Sequence, residues 1–465
     1  MGNILPKNWV HLNLKESVDF RKGKKPKTLA EEYFEGSVPY MDIQALEKDY
    51  ITFYADSNSA KYFKNNDVVI VWDGSRSGLI LKSKSGAIGS TLGALSPIGY
   101  DNQYLYYFLL SHYETINSKA RGVGIPHVDP TYLWNLDVPL PPLAEQERIV
   151  AKLDALFAQQ EKMKHALDKI PQLLKDFRQQ VLTQAVTGKL TEQWRKGKKL
   201  EKAEILIENI INDRNQNDTS LKKKINYKPI TGTYDIPNEW SFSFLQNFGE
   251  FTRGKSKHRP RNDKKLFGGK YPFIQTGDVS NANMYINEFK NTYSEFGLNQ
   301  SRLFPKGTLC ITIAANIAET AILNFDSCFP DSVVGYIPYK NLYTSEFAMY
   351  FINNIQKELE QYAPATAQKN INMAILTEIP FPIPPLEEQQ EIVSRVKSLF
   401  IKADAIETQY QTLKTKIDSL PQAILHKAFK GELVAQLPTD GDAKDLLAEI
   451  IKLKEEAKPN KGKKK

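Results

Sequence analysis

The 465-residue chain has two cysteines, Cys310 and Cys328, and six scattered histidines. That usage gives no disulfide framework and favours a reduced compartment. With no C-x-x-C or H-x-x-x-H spacing, the sequence offers no structural zinc site. Long apolar runs are missing too. The densest, VVIVW (68–72) and LCITIAA (309–315), fall far short of the roughly 20 residues that cross a bilayer. No early apolar stretch has the length and flanks of a signal peptide. These absences predict a cytoplasmic protein with no membrane partner and no bound metal.

What is present points to a soluble, multi-unit protein. Apolar residues make up 41% and charged residues 25%, the values of a globular chain. The length suggests about three units. The net charge is +8 and the pI near 9.0, which favours polyanionic partners, nucleic acid before membrane surface. Part of the excess sits in the terminal KPNKGKKK (458–465), a composition expected to be disordered.

The chain is written twice. PLPPL (139–143) returns as PIPPL (382–386), an offset of 382 − 139 = 243, and the match continues without a gap. AEQERIV (144–150) faces EEQQEIV (387–393), and VLTQAVTGKL (181–190) faces ILHKAFKGEL (424–433). Upstream the copies correspond more loosely: LPKNW (5–9) matches IPNEW (236–240), and FRKGKKP (20–26) resembles FTRGKSKHRP (251–260). The resulting order is a variable domain at 1–142, a helical segment at 143–200, a helix and linker at 201–231, a second variable domain at 232–385, a second helical segment at 386–437, and a C-terminal helix with a basic tail at 438–465. A shared scaffold carries two divergent surfaces.

After PLPPL the apolar positions Ile149, Leu153, Leu156, Met163, Leu167, Ile170, Leu174, Phe177 and Val181 alternate in steps of four and three, with Gln160 breaking the series. The second copy continues the pattern with Ile392, Val396, Leu399, Ala403, Ile406, Tyr410, Leu413, Ile417, Leu420 and Ile424. Sustained heptads of this kind predict a coiled coil, and two seams in one chain predict antiparallel pairing. About 40 residues at about 1.5 Å each give a rod of roughly 60 Å. Pro171 and Pro421 fall inside the seams and predict kinks, or a helix break at Pro171. Gly188 and Gly431 stand where C-terminal caps belong.

The remaining segments read as mixed α/β. Strand-like DVVIVWD (67–73), TLCITIAA (308–315) and SVVGYIPY (332–339) alternate with helical QYLYYFLLSHYETI (103–116) and SEFAMYFINNIQKEL (345–359). Polar and basic loops lie between them. In the first domain Lys22, Lys24, Lys25, Lys27, Ser75, Arg76 and Arg121 are the candidate DNA contacts. In the second they are Arg253, Lys255, Lys257, Arg259, Arg261, Gln275, Thr276, Asn316, Gln368 and Lys369. Lys and Arg can neutralise phosphates, and Arg, Asn, Gln, Ser and Thr can pair with base edges.

One string invites another reading. GEFTRGKS (249–256) satisfies the phosphate-loop pattern G-x-x-x-x-G-K-[ST] letter for letter. A working phosphate loop needs a helix directly after it, and KHRPRND with Pro260 opposes one. Aligned on the two tryptophans (240 − 9 = 231), Gly23 faces Gly254 and Lys25 faces Ser256, so the copies share a Gly-Lys turn and a basic run, not a nucleotide site.

The paired P-L-P-P-L-x-E-Q and P-I-P-P-L-x-E-Q segments, the helix after each, TGKLTEQW (187–194), KGEL (430–433) and the L/I-P-x-x-W opening of each half resemble the specificity subunits of type I restriction–modification systems. The resemblance covers nearly the whole chain. It implies two target-recognition domains, each reading one half of a split site on double-stranded DNA, separated by an antiparallel two-helix coiled coil that acts as a ruler. It implies two modification (methyltransferase) subunits docked largely on those helices, with restriction subunits recruited through them. It also implies no catalytic site here, with S-adenosylmethionine, ATP and Mg carried only by partner subunits. The sequence agrees in what it lacks: no N-P-P-[YF] or D-P-P-Y string, no G-x-G-x-x-G loop and no nuclease-like carboxylate cluster. The rival readings are a coiled-coil adaptor for protein partners and a phosphate-loop ATPase helper.

Overall fold

The computed structural model describes residues 5–122, 124–221, 223–314, 316–341, 345–361 and 371–456. It separates into two compact units, and one of them is discontinuous: Met1–Asp168 joins Gln411–Lys465, while the other unit is Lys169–Tyr410.

Both units follow one plan. In the first, the central sheet has the order Val18–Lys22, Leu92–Pro97, Val68–Val71, Ile80–Lys82, all antiparallel. In the second, Gly249–Arg253, Val333–Pro338, Leu309–Thr312 and Thr320–Leu323 follow in the same order, and Tyr285–Ile286 adds a parallel edge. VVIV and LCIT are buried at all four positions, which is why each reads as an unbroken apolar run rather than an alternating one. Val10–Asn13 pairs antiparallel with Asp137–Leu140, and Ser241–Phe244 with Pro380–Ile383, bringing the start and end of each recognition domain together. The repeat therefore runs through the divergent domains as well. Its offset is 249 − 18 = 231 at the first sheet strand and 309 − 68 = 241 at the third.

The helices complete each unit. Leu143–Leu167 ends before Ile170–Val186 begins, with Pro171 in the first turn of the latter, where its missing N–H has no helical acceptor to lose. This is the break expected at Pro171. Pro421 instead lies inside Leu386–Phe429, a 44-residue helix that continues past it. In the first unit Gln160 Nε2 donates to the Ile417 carbonyl at 2.8 Å and Gln436 reaches Glu145 at 3.0 Å. In the second, Arg178 donates to Asp404 and Glu407 at 2.8 Å, and Arg195 to Glu388. Within each unit the partner number falls as the first number rises, so the helical segments run antiparallel.

The seam needs correcting at three positions. Ile149, Leu153, Leu174, Val181, Ile392, Val396 and Tyr410 are buried, and Leu156, Met163, Leu167, Ile170, Leu399, Ile417 and Leu420 are half-buried. Phe177, Ile406 and Leu413 are exposed, at 37, 48 and 47%. Along the long helix only the file Val396, Ala403, Tyr410, Ile417 and Ile424 stays covered throughout. The flanking file Ile392, Leu399, Ile406, Leu413, Leu420 is covered only near the helix ends, where the domain cores pack. A straight helix has 3.6 residues per turn, so a 3.5-residue pattern drifts about 20° per heptad and its edge turns outward. Gln160, which interrupts the apolar series, is 5% exposed and clasps the facing helix through its amide.

Each core is closed by a tryptophan. Trp9 belongs to the same buried core as Leu105, Phe108, Ile149, Leu425 and Phe429 in one unit, and Trp240 to that of Val186, Phe347, Phe381 and Ile392 in the other. Trp9 donates its indole N–H to Glu145 at 3.0 Å and Trp240 to Glu388 at 2.8 Å. Gly188 (φ +73°) and Gly431 (φ +75°) turn the chain against Pro237 and Trp240, and against Pro6 and Trp9, as left-handed helix ends. Cys310 and Cys328 are free thiols, both buried.

Candidate nucleic-acid interface

In each unit a backbone hydrogen bond ties the chain ahead of the proline-rich turn to the end of a central strand. In the first unit the Val128 amide donates to the Trp72 carbonyl at 2.9 Å, and in the second Ile371 donates to Ile313 at 3.1 Å. GSRSG and ARGVGIPH thereby become neighbours: Gly74 N–H donates to the Pro126 carbonyl at 2.8 Å, and Asp73 bridges His127. Asn117 Nδ2 reaches the Ser77 carbonyl at 2.8 Å and the Ser75 carbonyl at 3.3 Å. Lys22, at the end of its strand, reaches Asp73 at 3.1 Å and lies 5.4 Å from the centre of the Trp72 ring. Lys22, Ser75, Arg76 and Arg121 thus converge on one locus. Beyond Gly23, Lys24, Lys25 and Lys27 are exposed on a segment pinned where the Lys27 amide meets Ser59 at 2.8 Å.

In the second unit the phosphate-loop string lies in the central sheet. Gly249–Arg253 is a sheet strand, its backbone engaged by Val333–Pro338. The Gly254 amide donates to Val333 at 2.9 Å and the Lys255 amide to Phe329 at 3.2 Å, so neither faces a phosphate cradle. Glycine is required there for another reason. A Cβ at Gly254 would lie 2.2 Å from the Pro330 carbonyl oxygen, and one at Gly23 would lie 2.0 Å from that of Gly89. The two glycines are the same close approach in the two copies.

From Arg253 the chain alternates: Arg253, Lys255, Lys257, Arg259 and Arg261 are exposed, while Gly254 and Ser256 between them are buried. Period-two exposure is the property of extended backbone, and it turns Arg253, Lys255 and Lys257 outward, while Arg259 and Arg261 are exposed on the bend and turn that follow. Arg253 Nε donates to the Asp331 carbonyl at 2.6 Å, and Arg261 donates to both Asp331 carboxylate oxygens at 2.9 Å. Arg259 donates to the Ser256 carbonyl at 2.7 Å. Gln275 and Thr276 open the short helix Thr276–Ser280, and Asn316 joins it through Ser280 at 3.3 Å. Gln368 and Lys369 lie outside the described residues, as does the basic tail.

Sequence reasoning missed the acids of this surface. Arg76 makes a two-point fork to Glu47, at 2.8 and 2.5 Å, and Arg121 meets Asp129 at 2.6 Å. Hydrogen bonding from the Arg76 guanidinium holds the Glu47 carboxyl below its ordinary range, and Arg76 is raised in return. These partners are 29 positions apart, and Arg261 and Asp331 are 70 apart, so no local pattern reveals them. Among the described residues no group of three or more His, Cys, Asp or Glu could hold a metal ion, and no helix is long and apolar enough to cross a membrane.

A family model described as the type I restriction modification DNA specificity domain matches residues 6–172 and 237–415, the two copies of the repeat. The chain belongs to the type I restriction–modification DNA specificity family. It is 28% identical to the EcoBI specificity subunit of Escherichia coli over 441 residues, covering 92% of this chain and 87% of the relative. It is 30% identical to the StySPI specificity subunit of Salmonella potsdam over 367 residues, covering 75% and 70%. In fold it is similar to the HsdS subunit of Thermoanaerobacter tengcongensis, at 20% identity and a TM-score of 0.57, over 92% of this chain and 98% of that one. A chain from a structure of type I system assembly and conformational transition gives a TM-score of 0.63 at 20% identity, over 92% and 100%. This specificity subunit is therefore a non-catalytic DNA-recognition protein with two recognition domains, which works in association with other subunits and with DNA.

Proposed function

We propose that each recognition domain of this specificity subunit reads one half of a bipartite site on double-stranded DNA, that the helical segments fix the spacing between halves, and that two modification (methyltransferase) subunits dock on those helices, with restriction subunits joining through them. The chain supplies recognition alone. S-adenosylmethionine, ATP and Mg belong to the partners, and the assembly works in the cytoplasm. One observation carries this reading. Two units of matching topology present the equivalent strand ends on equivalent glycine approaches, yet carry different polar and basic side chains there. One scaffold with two vocabularies suits a two-part site better than one continuous one, as half-site geometry does for dimeric DNA-binding proteins.

Methylome sequencing of cells with and without the operon tests it. A bipartite methylated motif should vanish on deletion, and a continuous motif or none would overturn the reading. Replacing residues 1–138 with those of a relative should change only one half of the motif. A complex with no salt-sensitive DNA binding would favour a protein adaptor instead.

A further inference from the structure

The arginines at the loop ends are not free cations. Arg76 is 46% exposed at its side chain and forks onto Glu47 through both Nη atoms, and Arg261 is 51% exposed and sets its Nη2 against both Asp331 carboxylate oxygens. The two pairs arise independently: Glu47 lies on the helix Ile43–Lys48, and Asp331 lies just before the strand Val333–Pro338. Exposed ion pairs add little to stability, so folding alone gives little reason to hold long arginines this way. Geometry gives a better one. A guanidinium has five N–H donors in a rigid fork, and a carboxylate behind it engages some of them while orienting the rest outward.

We propose that Glu47 and Asp331 are specificity-determining residues, carboxylate backstops that orient Arg76 and Arg261 towards base edges and withhold them from indiscriminate phosphate binding. Non-specific affinity comes from cations that neutralise phosphates and release counterions. An arginine already neutralised by a fixed carboxylate contributes little to that term. Facing guanine O6 and N7 it loses nothing, because the contact is a directed pair of hydrogen bonds that a pre-oriented fork makes with less ordering cost. The neighbouring Lys255 and Lys257 have no carboxylate partner among the described residues and are left to the phosphates. Each unit thus divides its cations between phosphate positioning and base reading. This rests on the DNA-reading function proposed above.

The test uses the full complex with its methyltransferase subunits, carrying Glu47→Gln or Asp331→Asn. Each is titrated against a duplex bearing the motif found by methylome sequencing and against a scrambled duplex of equal length, over a range of salt. Each variant should bind the scrambled duplex about tenfold more tightly, with a salt slope steeper by about 0.9 for one more phosphate contact. Motif binding should hold or weaken, so the ratio between the duplexes narrows. The double variant Glu47→Gln with Arg76→Ala should lose the steeper slope, since the released arginine causes it. An unchanged ratio, with both duplexes gaining or losing alike, would overturn the inference, because simple removal of a negative charge or a folding defect acts on both. A wild-type complex that fails to discriminate the duplexes would instead refute the DNA-reading function itself.

Discussion

Gln436 donates its side-chain amide to Glu145 at 3.0 Å, at the position where the corresponding carboxylate of the other unit, Glu388, receives the Arg195 guanidinium. Both carboxylates have no exposed surface and both accept a tryptophan indole. Glu388 also accepts from Thr191 at 2.6 Å, and Glu145 from Asn8 at 3.4 Å. One junction is a buried ion pair and the other a net of neutral donors. Glu388→Gln should therefore cost about 3–5 kcal/mol, the range for leaving one partner of a buried pair unmatched. Glu145→Gln should cost no more than about 1–2 kcal/mol, the scale of altered neutral hydrogen bonds. Urea unfolding followed by tryptophan fluorescence reports both, because Trp9 and Trp240 sit on the junctions. Equal losses would show that the cation adds nothing.

The left-handed glycines beside those tryptophans are equally exacting. A Cβ at Gly188 would lie 2.5 Å from Pro237 Cγ, and one at Gly431 would lie 2.3 Å from Pro6 Cγ. Alanine adds about 1–2 kcal/mol of left-handed backbone cost and about 1–3 kcal/mol of overpacking. Gly188→Ala and Gly431→Ala should each lower the thermal midpoint measurably, whereas Gly197→Ala (φ +77°), with nothing within 4 Å of its Cβ, should bear only the backbone part.

These junctions show what was legible in the sequence and what was not. The 243-residue repeat fixes Glu145 and Glu388 as equivalent, and the Trp-to-Trp offset does the same for their partners, so the scaffold could be read from linear pattern. The Glu–Gln pair after each proline turn was visible, but its role was not, because the indole it accepts from lies 136 or 148 positions away. The same distance problem hid Glu47 and Asp331. The seam failed differently: its heptads are real, yet Ile406 and Leu413 turn outward because no facing surface follows the drifting stripe at mid-helix.

Stability should also fall on mild acidification. His112 is largely buried, its ring 4.6 Å from that of Phe108, and burial pushes its pKa below the usual 6.5 despite a hydrogen bond with the Phe108 carbonyl. A depressed histidine pKa means the unfolded chain binds the proton more readily. The contribution is thus complete above about pH 6.5 and is lost as pH falls through that value towards the folded pKa. His112→Gln should flatten the pH dependence of unfolding between about pH 5 and 7, and an unchanged slope would assign it to other groups.

The last prediction separates the two kinds of cation on the ribbon after Gly254. Lys255 is exposed, and its backbone is fixed by the hydrogen bond to Phe329, so its substitution should leave the fold intact. As a phosphate contact it carries no sequence information. Lys255→Ala should therefore weaken the motif and scrambled duplexes by the same factor and reduce the salt slope by about 1. Arg261→Ala combined with Asp331→Asn removes a net-neutral pair, so it should instead weaken the motif duplex selectively, by about 1–3 kcal/mol if Arg261 reads a guanine, and leave scrambled binding nearly unchanged. Were GEFTRGKS a nucleotide site, Lys255→Ala would abolish binding of ATP–Mg to the isolated subunit. With the Gly254 and Lys255 amides already engaged by Val333 and Phe329, equilibrium dialysis of the wild-type chain should detect no ATP–Mg binding.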